Sequence, residues 1–130
     1  MSKTADAIRA ARANGESALI GYFPAGYPDV KASIDACVAI CQAGVDVLEL
    51  GVPYSDPVMD GLVIQEATEL ALANGFKLRE LFGVIKEITS KVSTPVLVMS
   101  YWNPILQFGV EKFARGLKES GAAGLITPDL

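Results

Sequence analysis

A glutamate stands inside an apolar run, Val45-Asp46-Val47-Leu48-Glu49-Leu50-Gly51-Val52. Its neighbours predict burial on both faces, and taking a lone carboxylate out of water raises its pKa. A carboxyl group tuned in this way can give and take a proton near neutral pH, which suits general acid–base work. The structural alternative is a Glu paired with a buried Lys or Arg, or tied to a neighbouring loop. Directly after it comes Pro53-Tyr54-Ser55-Asp56-Pro57-Val58-Met59-Asp60-Gly61, a segment dense in turn formers that carries two further carboxylates. Asp56 precedes Pro57 and suits a turn. Asp60-Gly61 precedes a helical pattern that opens at Leu62, so Asp60 is equally suited to capping that helix. If Glu49 and Asp60 both reach the mouth of one sheet, they can divide acid and base roles.

The chain contains no histidine. A Ser-His-Asp or Cys-His arrangement is therefore excluded, and the acid–base groups available are Asp, Glu, Lys, Tyr and Cys. Cys37 and Cys41 fall on the same helical face as Ile34 and Val38 and read as buried free thiols. A Cys-x-x-x-Cys pair with no histidine to complete it gives no metal site. Free thiols fit a reduced, cytoplasmic compartment. Tyr22, Tyr101 and Trp102 sit at or near strand ends, where each either holds a planar substrate or packs in the core. The first βα loop, Phe23-Pro24-Ala25-Gly26-Tyr27-Pro28-Asp29, has neither the Gly-x-Gly-x-x-Gly spacing of a dinucleotide site nor the Gly-Lys-Ser ending of a P-loop. A nucleotide cofactor is not supported.

Composition narrows the classes further. Half of the 130 residues are hydrophobic and 20% are charged, as in a core-forming domain. The formal charge is −4 with Lys and Arg scattered, which gives no basic face for nucleic acid. No apolar run approaches the roughly 20 residues needed to span a membrane. Met1 to Ala13 is a charged helical pattern rather than a secretory signal.

The elements that must position these residues alternate. Four β-type runs are read at residues 18–23, 45–51, 95–99 and 122–127, each near-continuously apolar, as expected of parallel strands covered on both faces. Asp29 is a candidate N-cap for a helix with Val30, Ile34, Cys37, Val38 and Cys41 on one side. A later helix aligns Leu78, Leu81, Phe82, Ile85 and Ile88, and the third crossover uses Val110, Phe113 and Leu117. Gly44 and Gly121 each follow a helix and precede a strand, where a left-handed residue ends the helix. Asn74-Gly75 breaks the second crossover into two helices. The order is an N-terminal helix followed by β-α-β-α-β-α-β, which implies a parallel sheet with right-handed crossovers. An open doubly wound sheet and part of a (β/α)8 barrel both fit that order. The chain stops at Leu130, directly after the fourth strand, which is expected of a TIM barrel cut halfway, since a whole one needs about 250 residues. The chain is thus read as one partial-barrel domain over residues 1–130.

The stretch Leu48-Glu49-Leu50-Gly51-Val52-Pro53-Tyr54-Ser55-Asp56-Pro57-Val58-Met59-Asp60-Gly61 resembles the signature of tryptophan synthase alpha subunits, Leu-Glu-[Leu/Val]-Gly-[Ile/Val/Leu]-Pro-[Phe/Tyr]-Ser-Asp-Pro-x-x-Asp-Gly-Pro. The resemblance runs the length of the chain, through Gly26-Tyr27-Pro28, Tyr101-Trp102-Asn103-Pro104 and Thr127-Pro128-Asp129-Leu130. It implies the retro-aldol cleavage of indole-3-glycerol phosphate to indole and glyceraldehyde 3-phosphate, a step of tryptophan biosynthesis in the cytoplasm. On this resemblance Glu49 matches the family's catalytic glutamate, acid at indole C3 and base on the glycerol hydroxyl. Asp60 matches the aspartate that stabilises positive charge at the indole nitrogen and takes its proton. Tyr22 corresponds to an aromatic residue beside the indole ring, and Tyr101 to a tyrosine near the catalytic pair. The loop bearing Pro53 and Asp56 resembles the segment facing the beta subunit, the partner that receives indole and holds pyridoxal phosphate. The alpha subunit itself is expected to need no metal or organic cofactor.

Two departures from the family pattern carry expectations. Leu62 stands where the family has Pro, and is expected to loosen the loop bearing Asp60. The chain ends before the family's phosphate-binding loops, so alone it is expected to be inactive or nearly so, and marginal, oligomeric or dependent on a complement. The rival readings are a non-catalytic half-barrel that keeps only partner-binding surface, and a different phosphate-handling barrel enzyme.

Overall fold

Short apolar segments, most of them following helices ended by a Gly, pair here as parallel strands, and the amphipathic helices between them fold back over one face. The computed structural model describes residues 2–130. Helix α1 (Lys3–Ala13), capped by the Ser2 hydroxyl, precedes the first strand. Then follow β1 (Ile20–Pro24), α2 (Val30–Gln42), β2 (Val47–Gly51), α3 (Leu62–Ala73), a single 3-10 turn (Leu78–Glu80), α4 (Leu81–Lys91), β3 (Val96–Met99), α5 (Trp102–Phe108), α6 (Val110–Ser120) and β4 (Gly124–Ile126). All four strands anticipated from the sequence are present, each starting one or two residues later. Asp29 caps α2, accepting the Ala32 N–H. Gly44 and Gly121 both take positive φ, 113° and 89°, as helix-ending residues that relieve the crowding a side chain would meet there.

The strands lie in the order β1-β2-β3-β4, every pair parallel. An unbroken sequential order is that of a barrel; a doubly wound sheet reverses direction at a switch point. The fold is the first half of a (β/α)8 TIM barrel. Register then decides what faces what. Leu48 pairs with Val96 and Leu50 with Val98, and these four residues, at most 1% exposed, pack with Ile34, Cys37, Val84, Ile85 and Ile88 from the helices. Because successive side chains alternate across a strand, Glu49 points to the opposite, concave face. There it sits in a row with Tyr22, Leu97 and Gly124.

Two features differ from the expectation. Trp102, close after the end of β3 as expected, opens a helix the sequence pattern did not indicate, α5, of seven residues with Pro104 as its third. Pro is tolerated in a first turn, where the N–H has no partner to lose. Val110, expected on the packed side of the third crossover, is 42% exposed, whereas Phe113 and Leu117 are buried as anticipated.

Candidate active site

The carboxylate of Glu49 is held by the middle of a strand whose other residues are all buried, while Glu49 itself keeps partial access to the concave face. Burial pushes its carboxyl above the ordinary carboxylate range. No Lys or Arg pairs with it, so the structural alternative of a buried ion pair is set aside among the described residues.

Tyr22 is the cross-strand neighbour of Glu49. Its ring leans along β2 toward the mouth of the sheet, over Gly51. A Cβ placed on Gly51 would lie 2.0 Å from Tyr22 Oη and 2.5 Å from Cζ. Only a residue without a side chain leaves that space, because the ring occupies it. The Tyr22 hydroxyl is held neutral, its pKa raised first by burial and then by the charges of Asp60, Glu49 and Tyr101.

Asp60 arrives from the loop after β2, next to the turn that starts α3. The N-cap of α3 is Gly61, with no side-chain cap, so Asp60 is not serving as the cap that its position in the sequence permits. Tyr101, the residue before α5, is 2% exposed. Its Oη accepts the Met59 N–H at 2.9 Å, and burial, followed by the Asp60 charge, raises its pKa against the opposing pull of the Met59 N–H. Tyr54 packs on the Tyr101 ring at 5.5 Å between centroids, and Asn103 Nδ2 donates to Tyr54 Oη at 3.0 Å. Asp129 accepts the Trp102 N–H at 2.9 Å, tying the loop after β4 to the start of α5.

The structure therefore gathers Tyr22, Glu49, Asp60 and Tyr101 at the C-terminal end of the strands. The two loop residues lie elsewhere and differ from one another: Pro53 is buried, whereas Asp56 is exposed and accepts from the Ser55 hydroxyl at 2.8 Å. Beside the cluster, between β1 and α3, is a cleft of about 430 Å³ lined chiefly by Tyr22, Phe23, Tyr27, Val63, Ile64 and Leu70. Tyr22 belongs to both, but neither carboxylate lines the cleft, so its apolar wall adjoins the reacting groups rather than containing them. Among the described residues no group of three or more His, Cys, Asp or Glu is placed to hold a metal ion, and no helix is long and apolar enough to cross a membrane. Chemically, a carboxyl of raised pKa and a second carboxylate, both acting on the same tyrosine hydroxyl, can move protons on a substrate placed between them.

Reading the sequence residue by residue missed two contributors. Gly51 matters for the space it leaves to Tyr22, and a lone Gly inside a strand signals close approach. Gln65 Nε2 donates to the Asp60 carbonyl at 2.8 Å, and nothing in the sequence pattern pointed to it.

Comparison with known proteins follows the same line. The family model described as tryptophan synthase alpha chain matches residues 8–130. The chain is 60% identical to a tryptophan synthase alpha chain of Leifsonia xyli subsp. xyli, over 100% of this chain and 50% of that protein. In structure it is similar to tryptophan synthase from M. tuberculosis in an aminoacrylate-bound form, with TM-score 0.95 at 48% identity, covering 100% of this chain and 53% of that one. It is similar also to a tryptophan synthase complex from Pyrococcus furiosus, with TM-score 0.81 at 42% identity over 87% of this chain and 47% of that one. The chain spans about half the length of the curated relatives it matches.

Proposed function

The chain belongs to the tryptophan synthase alpha chain family, and from that premise we propose that it supplies the acid–base groups of a carbon–carbon lyase acting on indole-3-glycerol phosphate. The observation that carries this reading is the convergence of Glu49, its pKa raised by burial, with Asp60 beside two phenols at one end of a parallel sheet.

In this reading the protonated Glu49 gives its proton to indole C3. Positive charge then develops at the ring nitrogen, and the Asp60 carboxylate stabilises it and takes the N–H proton. The bond from C3 to the glycerol carbon breaks and its electrons return to the ring. The adjacent hydroxyl gives its proton to Glu49 and becomes the aldehyde of glyceraldehyde 3-phosphate. Asp60 returns its proton to nitrogen, so both carboxyl groups end as they began. A proton-transfer group placed in this way contributes about 100- to 10,000-fold. The indole ring is the electron sink, so the scheme calls on no metal or organic cofactor. In this reading the Tyr22 ring flanks the indole. Exposed Asp56, with the loop around Pro53, is the surface offered to a beta subunit that carries pyridoxal phosphate. The reading places the protein in the cytoplasm, where two free thiols persist.

A second reading follows from length. The chain matches about half of its relatives, so it can instead keep partner surface without turnover. Indole release from indole-3-glycerol phosphate with excess beta subunit separates the two. It is measured for the chain alone and for the chain joined to the remaining half of the Leifsonia xyli relative. Release by the joined protein that Glu49→Gln abolishes supports the lyase reading. Release unaffected by Glu49→Gln overturns it. Beta-subunit binding by the chain alone, without indole, supports the second reading for the isolated half.

A further inference from the structure

The segment Pro53–Asp60 leaves the sheet after Val52, whose N–H donates to the Met99 carbonyl at 2.9 Å. Among the described residues, none of its backbone groups joins a backbone–backbone hydrogen bond. Burial does not hold its far end either, since Val58 is 80% exposed and Met59 64%. Gly61 caps α3 without a side chain, and Leu62 stands where Pro would stiffen the turn. Even so, the Asp60 carboxylate has to be aimed.

Two side chains tie the backbone on either side of Asp60. Tyr101 Oη accepts the N–H of Met59, one residue before, at 2.9 Å. Gln65 Nε2, one turn into α3, reaches back to the carbonyl of Asp60 itself at 2.8 Å. Each anchor is itself supported. The main-chain N–H of Gln65 donates to the Gly61 carbonyl at 2.9 Å within the first helical turn. Tyr101 is buried under Tyr54, whose hydroxyl accepts from Asn103. The amide of Gln65 must present nitrogen here, because its oxygen would face another carbonyl oxygen.

We propose that Gln65, acting together with Tyr101, is a positioning residue for Asp60: the two side chains hold the Met59 N–H and the Asp60 carbonyl and so fix the direction of the aspartate's carboxylate. This rests on the lyase reading above. Gln65 touches no reacting atom in this account; its whole effect passes through Asp60. A displacement of about 1 Å at a reacting group costs about 100-fold in rate, so loss of the clamp lowers kcat while leaving substrate affinity close to unchanged.

The test pairs two measurements. In the chain itself, amide hydrogen exchange is followed at Met59 and, as an internal reference, at Val52 in the strand ladder. Tyr101→Phe and Gln65→Met, which keeps the length but not the donor, are both expected to speed exchange at Met59 and not at Val52. In the joined full-length protein, kcat and KM are measured for Gln65→Met, Gln65→Glu and Glu49→Gln. The expected result is a fall in kcat of about 10- to 100-fold for Gln65→Met, with little change in KM. A larger fall is expected for Gln65→Glu, which sets a carboxylate against a carbonyl. Adding Leu62→Pro to Gln65→Met is expected to restore part of kcat by stiffening the same turn. Unchanged exchange at Met59 overturns the inference, and so does a full rate for Gln65→Met where Glu49→Gln is dead. If Glu49→Gln keeps full activity, the lyase reading falls first and this inference falls with it.

Discussion

Replacing Gly51 by Ala sets a methyl group against Tyr22, and the geometry says how far the ring has to move. The added Cβ would lie 2.0 Å from Tyr22 Oη, 2.5 Å from Cζ and 2.9 Å from Cε2, whereas ordinary contact begins at 3.4 Å. The phenol must therefore retreat by more than an ångström. Overfilling a packed site costs about 1–3 kcal/mol. The clash is with the free end of a half-buried side chain near the mouth of the sheet, so the lower end of that range applies. The expected drop in melting temperature is about 4 °C. Function is expected to suffer more. On the proposal that Tyr22 flanks the indole, displacing its ring by about 1 Å lowers kcat by about 100-fold. The assay is indole release in the joined full-length protein, with thermal melts of the same samples. Tyr22→Phe removes the hydroxyl but leaves Cζ at 2.5 Å, so it relieves only part of the conflict. Tyr22→Leu removes the ring end entirely, and Gly51→Ala added to Tyr22→Leu should then cost little beyond the single change, a strong non-additivity. Wild-type turnover for Gly51→Ala, or independent losses in the double variant, would refute the idea that Gly51 makes room for Tyr22.

Other perturbations test other parts of the account. Burial raises the Glu49 carboxyl above its ordinary 4.5, so the folded state holds that proton more tightly than the unfolded state. Its contribution is fully present below the unfolded value and is lost as pH rises through the folded one. Glu49→Gln is therefore expected to leave the urea midpoint unchanged near pH 4 and raise it near pH 8; a lower midpoint at pH 8 contradicts the burial argument. Leu62 is 76% exposed and its N–H, as the first of the helix, has no intrahelical partner. Leu62→Pro is accordingly expected to stabilise by about 0.4–1 kcal/mol and raise turnover, and an unchanged rate disposes of the loosened-loop idea. Burial pushes the Cys37 thiol up to about 12 and raises that of Cys41 as well. Both should resist a thiol reagent at pH 8 until the chain unfolds, and prompt labelling of the folded protein would contradict their placement in the core.

The sequence by itself determined the alternation of strands and helices, because that is written in local periodicity and in Gly, Asp and Asn at element ends. Asp29 and the Gly44 and Gly121 junctions were legible for the same reason: caps depend on the few residues around them. Glu49 was legible as chemistry because a carboxylate in an apolar strand conflicts with its surroundings wherever the strand lies. Asp60 was less legible, since an aspartate before a helical pattern reads equally well as a cap; only the structure moved the cap to Gly61. The seven-residue helix opened by Trp102 was not legible, being too short for a periodic signal. Strand order and register belong to the tertiary structure alone. They bore out the half-barrel that the family resemblance favours over the doubly wound sheet, put Tyr22 beside Glu49, and laid the phenol over Gly51. The contacts of Tyr101 with Met59 and of Tyr54 with Asn103 join residues more than forty positions apart. No local pattern encodes such pairings, because they exist only after the strands have chosen their neighbours and brought the loops to one end of the sheet.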